Sequence, residues 1–245
     1  MCGRFVSSSP PDELAKYFDV DSVAEQVLEP SFNVAPSNDV YVVVSSGGLR
    51  RLDTFHWGLI PSWANDESAG YKMINARAEG LADKNAYKRA FRKRRCLIPA
   101  DGFFEWKKVS GQKKKQPYFI HRADGEPFAF AGLWEVWRPP DKRDDRDTEP
   151  LRSCTIITGA ANETVAEIHD RMPVMLPPSA WDRWLDRDYD DVEALGKLLV
   201  PAPARILELH PVSALVNNVR ENGEQLIEPI DLDAVAGTSE QGSLL

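Results

Sequence analysis

The sequence predicts a mixed α/β single domain, and three observations carry that reading. Its 245 residues lie near the upper end for one domain and are enough to bury a sizeable core. Short β-branched and aromatic runs recur between turn dipeptides. Residues 40–44 and 49–57 flank Gly47-Gly48, a hairpin signal, and residues 117–121 and 127–133 flank Asp124-Gly125. The helical segments between these runs are short and amphipathic, so strands dominate the architecture.

In chain order, Ser9-Pro10-Pro11-Asp12 opens a first helix to about Phe18, with Ser9 as cap and Asp12 at capping-box spacing. The hairpin at 40–57 leads into Trp57-Gly58-Leu59-Ile60-Pro61-Ser62-Trp63, a rigid aromatic loop in which Trp57 is expected in the core and Trp63 nearer solvent. Residues 73–79 read as a short strand; Asn75 and Arg77, two apart, share one face. Residues 84–94 read as a basic helix with Ala86, Ala90 and Phe91 inward. Residues 96–100 form a buried strand. In residues 101–106, alternation places Phe103 and Glu105 on one face and Phe104 and Trp106 on the other. A charged, proline-bounded loop spans 139–150. A β-branched strand follows at 153–158, a short helix at 163–168 ending in His169, and a strand at 174–176. Helices at 179–185 and 192–199 precede a strand at 206–209. From about residue 233 the composition is small and polar, so a domain over 1–232 with a disordered tail at 233–245 is expected.

Net charge is −8, which taken whole argues against a nucleic-acid partner. The distribution argues the other way, since residues 1–122 hold 19 Lys and Arg against 14 Asp and Glu. The basic residues concentrate at 84–95 and 107–115, where a local field can attract an anionic polymer, or simply be a solvated face. No apolar run reaches membrane-spanning length, and no signal peptide is expected. Three cysteines, Cys2, Cys96 and Cys154, without a CxxC pair argue against a disulfide framework or structural zinc. A reducing, cytoplasmic setting is expected, as is the absence of any metal or cofactor.

Candidate chemistry centres on Cys2. Removal of Met1 would place a thiol and an α-amine on one residue, the amine with a pKa of about 7.7–8.0. Such a 1,2-aminothiol can condense with an aldehyde to a thiazolidine, or the amine can act as base to the thiol in acyl transfer. An incidental cysteine after the initiator is the third reading. Asn75 with Arg77 suits a sugar or phosphate oxygen, or an ordinary surface with an Arg77–Glu79 ion pair. Glu105 among aromatics would have a raised pKa, fit for general acid/base work, or be structurally paired. His169 at a helix C-terminus is either a cap or a catalytic group.

Six stretches carry a resemblance to one family. They are Met1-Cys2-Gly3-Arg4-Phe5, Phe32-Asn33-Val34-Ala35-Pro36, Trp57 to Trp63, Asn75-Ala76-Arg77-Ala78-Glu79, residues 99–106 and Ile168-His169-Asp170-Arg171-Met172-Pro173. In this order they resemble the SOS-response-associated peptidase (SRAP) domain family, over residues 1 to about 230. The resemblance implies a curved, largely antiparallel, barrel-like sheet with flanking short helices and a groove for single-stranded DNA. It implies autoproteolytic removal of Met1 and capture of abasic sites by Cys2 as a thiazolidine crosslink, with lyase-type reversal. It puts catalytic roles on Cys2, Asn75, Glu105 and His169. DNA-binding roles fall on Arg4, Arg77, Trp106 and Arg171. A monomer, nucleoid-associated if bacterial, is expected. Two rival readings are an N-terminal-cysteine glutamine amidotransferase, which also begins Met-Cys-Gly, and a non-covalent single-strand-binding module.

Overall fold

A computed structural model describes residues 2–109, 114–145 and 147–232. The expected tail at 233–245 lies outside the described residues, as do parts of the 107–115 and 139–150 segments. The described strands are β1 (Phe5–Ser7), β2 (Ser22–Val23), β3 (Ser31–Val34), β4 (Asp39–Ser46), β5 (Leu49–Trp57), β6 (Asn75–Arg77), β7 (Arg95–Ala100), β8 (Gly102–Lys107), β9 (Gln116–Arg122), β10 (Phe128–Trp137), β11 (Leu151–Ala160), β12 (Arg171–Pro173) and β13 (Leu207–Pro211). The helices are α1 (Pro11–Tyr17), α2 (Lys88–Lys93), α3 (Glu163–Ala166), α4 (Pro178–Leu185) and α5 (Val192–Gly196).

Two sheets result. The smaller runs β13-β9-β8-β1-β3; the larger runs β12-β11-β10-β7-β4-β5-β2, with β6 joined to β11. A parallel pairing of Ser153 with His56 and Cys154 with Trp57 links β11 back to β5, closing β5-β4-β7-β10-β11 into a five-strand barrel. The expected mixed α/β domain with a barrel-like core is therefore what the chain forms. The 4–5 hairpin turns on Gly47 and Gly48, both at positive φ, a conformation that glycine adopts without steric cost. The Asp124-Gly125 turn makes no hairpin: β9 belongs to the small sheet and β10 to the barrel.

Alternation splits the barrel side chains between two clusters. Tyr41, Val43, Leu52, Leu97, Ala131 and Leu133 pack with Leu14 of α1, Phe91 of α2, Trp181 and Trp184 of α4 and Leu195 of α5. Val40, Val42, Phe55, Trp57, Cys96, Ile98 and Cys154 pack instead with the small sheet, through Cys2, Phe5, Val34, Phe103 and Ile120. Trp57 is fully buried and Trp63 is 61% exposed, as the loop composition predicts. Gly58, at positive φ, lies against Gly70, whose carbonyl oxygen would sit 2.8 Å from an added Cβ. That close approach fixes the loop between the two tryptophans.

Several local expectations are corrected. Ser9 does not cap α1: Pro10 occupies the cap position without a side-chain bond. The Ser9 hydroxyl and the Ser8 amide bond to Asp101 instead, because proline at the first turn leaves fewer donors to cap. The basic helix shrinks to α2. Arg94 pairs with Glu135, and Arg95, 2% exposed, lies at the start of β7. The strand expected at 174–176 forms earlier, as β12, with only Met175 bridging Phe130.

Candidate active site

β1 brings the N-terminus across the small sheet. Phe5 faces Phe103 and Val6 faces Gly102, and the Phe104 amide donates to the Arg4 carbonyl at 2.9 Å. Continuing that antiparallel register runs residues 2–4 alongside residues 104–106 of β8. Cys2 is fully buried, and its thiol lies 3.8 Å from the Arg4 carbonyl. Glu105, 3% exposed, is close enough for its negative charge to act on that thiol. Burial pushes the Cys2 thiol well above the ordinary cysteine range, and the Glu105 charge pushes it further. Both effects favour the protonated thiol over the thiolate.

Asn75 reaches Cys2 from the barrel. β6 pairs in parallel with β11, setting Asn75 beside Ile156 and Arg77 beside Thr158. Asn75 Nδ2 donates to the Cys2 carbonyl oxygen at 2.7 Å. Its Oδ1 is buried without a hydrogen-bond partner among the described residues. An amide so placed can polarise the carbonyl of Cys2 with one end and accept from an incoming group with the other.

His169 enters from the far side of β11. Its amide donates to Val165 at the C-terminal end of α3, and β12, two residues on, pairs with β11 through Arg171–Ala160 to Pro173–Thr158. Met172 of β12 packs in the cluster that contains Cys2. The ring Nδ1 accepts from the Arg171 amide at 3.0 Å, which places the proton of a neutral ring on Nε2. The exposed Asp170 carboxylate, 2.9 Å from the same Nδ1, can accept from it only when Nδ1 carries a proton.

The four residues expected to bind DNA are placed differently from one another. Arg77 is exposed on β6. Arg4 Nη1 donates to Asn33 Oδ1 at 2.7 Å and to the Val216 carbonyl at 2.8 Å, while its Nε is buried without a partner. Arg171 makes a two-pronged pair with Glu79 at 2.7 and 3.0 Å and donates to the Thr158 carbonyl at 2.6 Å. Glu79 thus pairs with Arg171 rather than with Arg77. Trp106 donates its indole N–H to Asn217 Oδ1 at 2.7 Å. The sequence reading gave Glu79 to Arg77 instead of Arg171, and missed Asn33 and Asn217 as partners of these groups. Among the described residues no group of three or more His, Cys, Asp or Glu could hold a metal, and no helix is long and apolar enough to cross a membrane.

The family model for SOS response associated peptidase (SRAP) matches residues 1–219. The chain belongs to this family. It is 43% identical over 229 residues to the abasic site processing protein YoqW of Bacillus subtilis, covering 93% of this chain and 99% of that one. It is 33% identical over 236 residues to the abasic site processing protein YedK of Escherichia coli, covering 94% and 100%. A crystal structure of a Bacteroides thetaiotaomicron protein superposes with a TM-score of 0.81 at 24% identity, over 94% of this chain and all of that one; this likeness speaks to the fold. Within this SRAP domain the segment leading into β1, with β6 and β8, brings Cys2, Asn75 and Glu105 together.

Proposed function

We propose that this protein processes abasic sites in single-stranded DNA by covalent capture through Cys2. The observation that carries the reading is the convergence of Asn75 and Glu105 on the first residue that Met1 removal would expose. The names of the relatives, abasic site processing proteins, supply the substrate class. Hydrolysis of the Met1–Cys2 bond consumes one water and frees the α-amine. That amine adds to the C1 aldehyde of a ring-opened deoxyribose, and loss of water gives an imine. The sulfur then bonds to the imine carbon while the thiol proton passes, through Glu105, to nitrogen. The product is a five-membered thiazolidine. Asn75 holds the Cys2 backbone during these steps, and its open Oδ1 accepts from the amine or the sugar. His169 acts on the opened sugar hydroxyl and in lyase-type reversal. Arg4, Arg77 and Arg171 hold phosphates, and Trp106 stacks on a base. The protein would work as a monomer in the compartment that holds its DNA.

An intact mass spectrum after incubation with an abasic single-stranded oligonucleotide tests this. The expected species lacks Met1 and gains the mass of the oligonucleotide less one water. Cys2→Ser should give no denaturation-resistant adduct; an adduct that survives the substitution, or an active protein retaining Met1, overturns the mechanism. Robust release of glutamate from glutamine would favour an amidotransferase instead. The logarithm of the affinity for single strands should fall linearly with log salt, with a slope of about −0.7 per phosphate contacted.

A further inference from the structure

One loop joins two of the groups that flank Cys2 and Glu105. Asn33, 4% exposed on β3, accepts from Arg4 Nη1 through its Oδ1. Through Nδ2 it donates to the carbonyls of Asn218 at 3.0 Å, Glu221 at 2.9 Å and Val216 at 3.4 Å. The Val216 carbonyl also accepts from Arg4. Between these carbonyls sits Asn217, exposed, whose Oδ1 takes the Trp106 indole N–H. Residues 216–221 therefore touch the guanidinium two positions from Cys2 and the ring next to Glu105. Val216 is buried beside Trp106, Val6 and Phe104, which seats the loop on the small sheet.

We infer that Asn33 and Asn217 are positioning residues: Asn33 clamps the 216–221 loop, and through Asn217 that loop sets the plane of Trp106 for the DNA base beside the abasic site. Neither asparagine touches the reacting atoms. Asn33 acts through Arg4 and the loop carbonyls, Asn217 through the indole. A tryptophan on a strand has a broad terminal torsion, and one hydrogen bond to a clamped loop restricts it before DNA arrives. This rests on the function proposed above.

The test measures adduct formation against protein concentration, giving a half-saturating concentration and a saturating rate. Asn217→Ala removes the acceptor from an exposed position, so the fold should persist. Asn33→Asp keeps an oxygen for Arg4 and removes the donors to the loop. Both should raise the half-saturating concentration on the order of five- to tenfold, the low end of what one stacked base is worth, with the saturating rate within about twofold. The Trp106 indole N–H signal, assigned by Trp106→Phe, should shift in both. An unchanged half-saturating concentration in Asn217→Ala, or a fall in both parameters together, overturns the inference. If Asn33→Asp fails to fold, Asn217→Ala decides alone. Absence of adduct with the unaltered protein would sink the proposed function; the indole signal of the variants would still decide the clamp.

Discussion

Arg95 and Arg4 are guanidinium groups withdrawn from solvent, and the structure treats them oppositely. Arg95 donates to the carbonyls of Phe91, Arg92, Trp184, Asp186 and Tyr189. Burial lowers its pKa to about 10, still far enough above neutrality to keep it charged. It ties α2, α4 and the segment after α4 to the barrel. Arg4 satisfies one nitrogen and leaves Nε buried without a partner; Arg171 Nε and Asn75 Oδ1 share that condition. A buried donor or acceptor without a partner costs about 1–3 kcal/mol. On the helix-covered face the Arg95 guanidinium is spent on holding the fold. Near Cys2 hydrogen-bonding capacity is left over, as the proposed capture of an oxygen-rich substrate would use. Thr155 and Thr158 have unpartnered buried hydroxyls as well, and nothing in the structure explains them.

The contrast can be broken most forcefully at Arg95. Arg95→Met strands five carbonyls and should lower stability by on the order of 3 kcal/mol or more, read as a fall in the denaturant midpoint. Adduct formation per folded molecule should not change. A loss of DNA affinity at unchanged stability would show instead that the basic stretch belongs to the site.

Glu105→Gln works on the other region. It should slow adduct formation about a hundred- to ten-thousandfold, the usual worth of general acid–base catalysis, with single-strand affinity retained. The pH response has a definite sign. Burial and the Glu105 charge both raise the Cys2 thiol, so neutralising the second cause moves thiol ionisation to lower pH. Alkylation of Cys2 by an uncharged reagent should therefore begin at lower pH in Glu105→Gln than in the unaltered chain. A shift to higher pH would contradict the proximity of the two groups. Asn75→Leu should cost a smaller factor, about tenfold, the worth of one positioning hydrogen bond; equal rates would remove Asn75 from the mechanism.

What was legible in the sequence followed the two short periods. Alternation in 101–106 put Glu105 on the face of Phe103, and Phe103 does pack with Cys2. The Gly47-Gly48 turn set the 4–5 hairpin, and apolar runs located β7 and β11. Barrel closure was not legible, because it rests on a pairing of β5 with β11 across nearly a hundred intervening residues, for which no local pattern exists. The apolar side of the basic run was legible as well, since Ala86, Ala90 and Phe91 do pack into the helix-covered cluster. That this cluster lies across the sheet from Cys2 was not, because charge along a chain does not say which face of a sheet its helix covers. Asn33 and Asn217 were invisible as partners because their contacts join β3, β1 and β8 to a loop at the far end of the chain.

Glu79 sharpens the comparison with the smallest effect. Arg171, a proposed phosphate ligand, has its terminal nitrogens held by a carboxylate, so within the protein it resembles Arg95 more than Arg77. The difference is exposure: the Glu79 side chain is 60% exposed and that of Arg171 15%. Its hydrogen bond to Arg171 holds the Glu79 carboxyl below the usual range. A depressed carboxyl stabilises the fold above its unfolded pKa, and that stability disappears as pH falls through the folded value. Solvent screening limits the contribution to about 1 kcal/mol or less. Glu79→Gln should therefore leave stability at neutral pH within about 1 kcal/mol of the unaltered chain. If Arg171 binds phosphate, the same change removes a competing anion and should tighten single-strand binding about two- to fivefold, most at low salt. Weaker binding would mean that Glu79 serves to aim the guanidinium rather than to compete for it, and would place Arg171 with Arg95 among the groups that hold the fold.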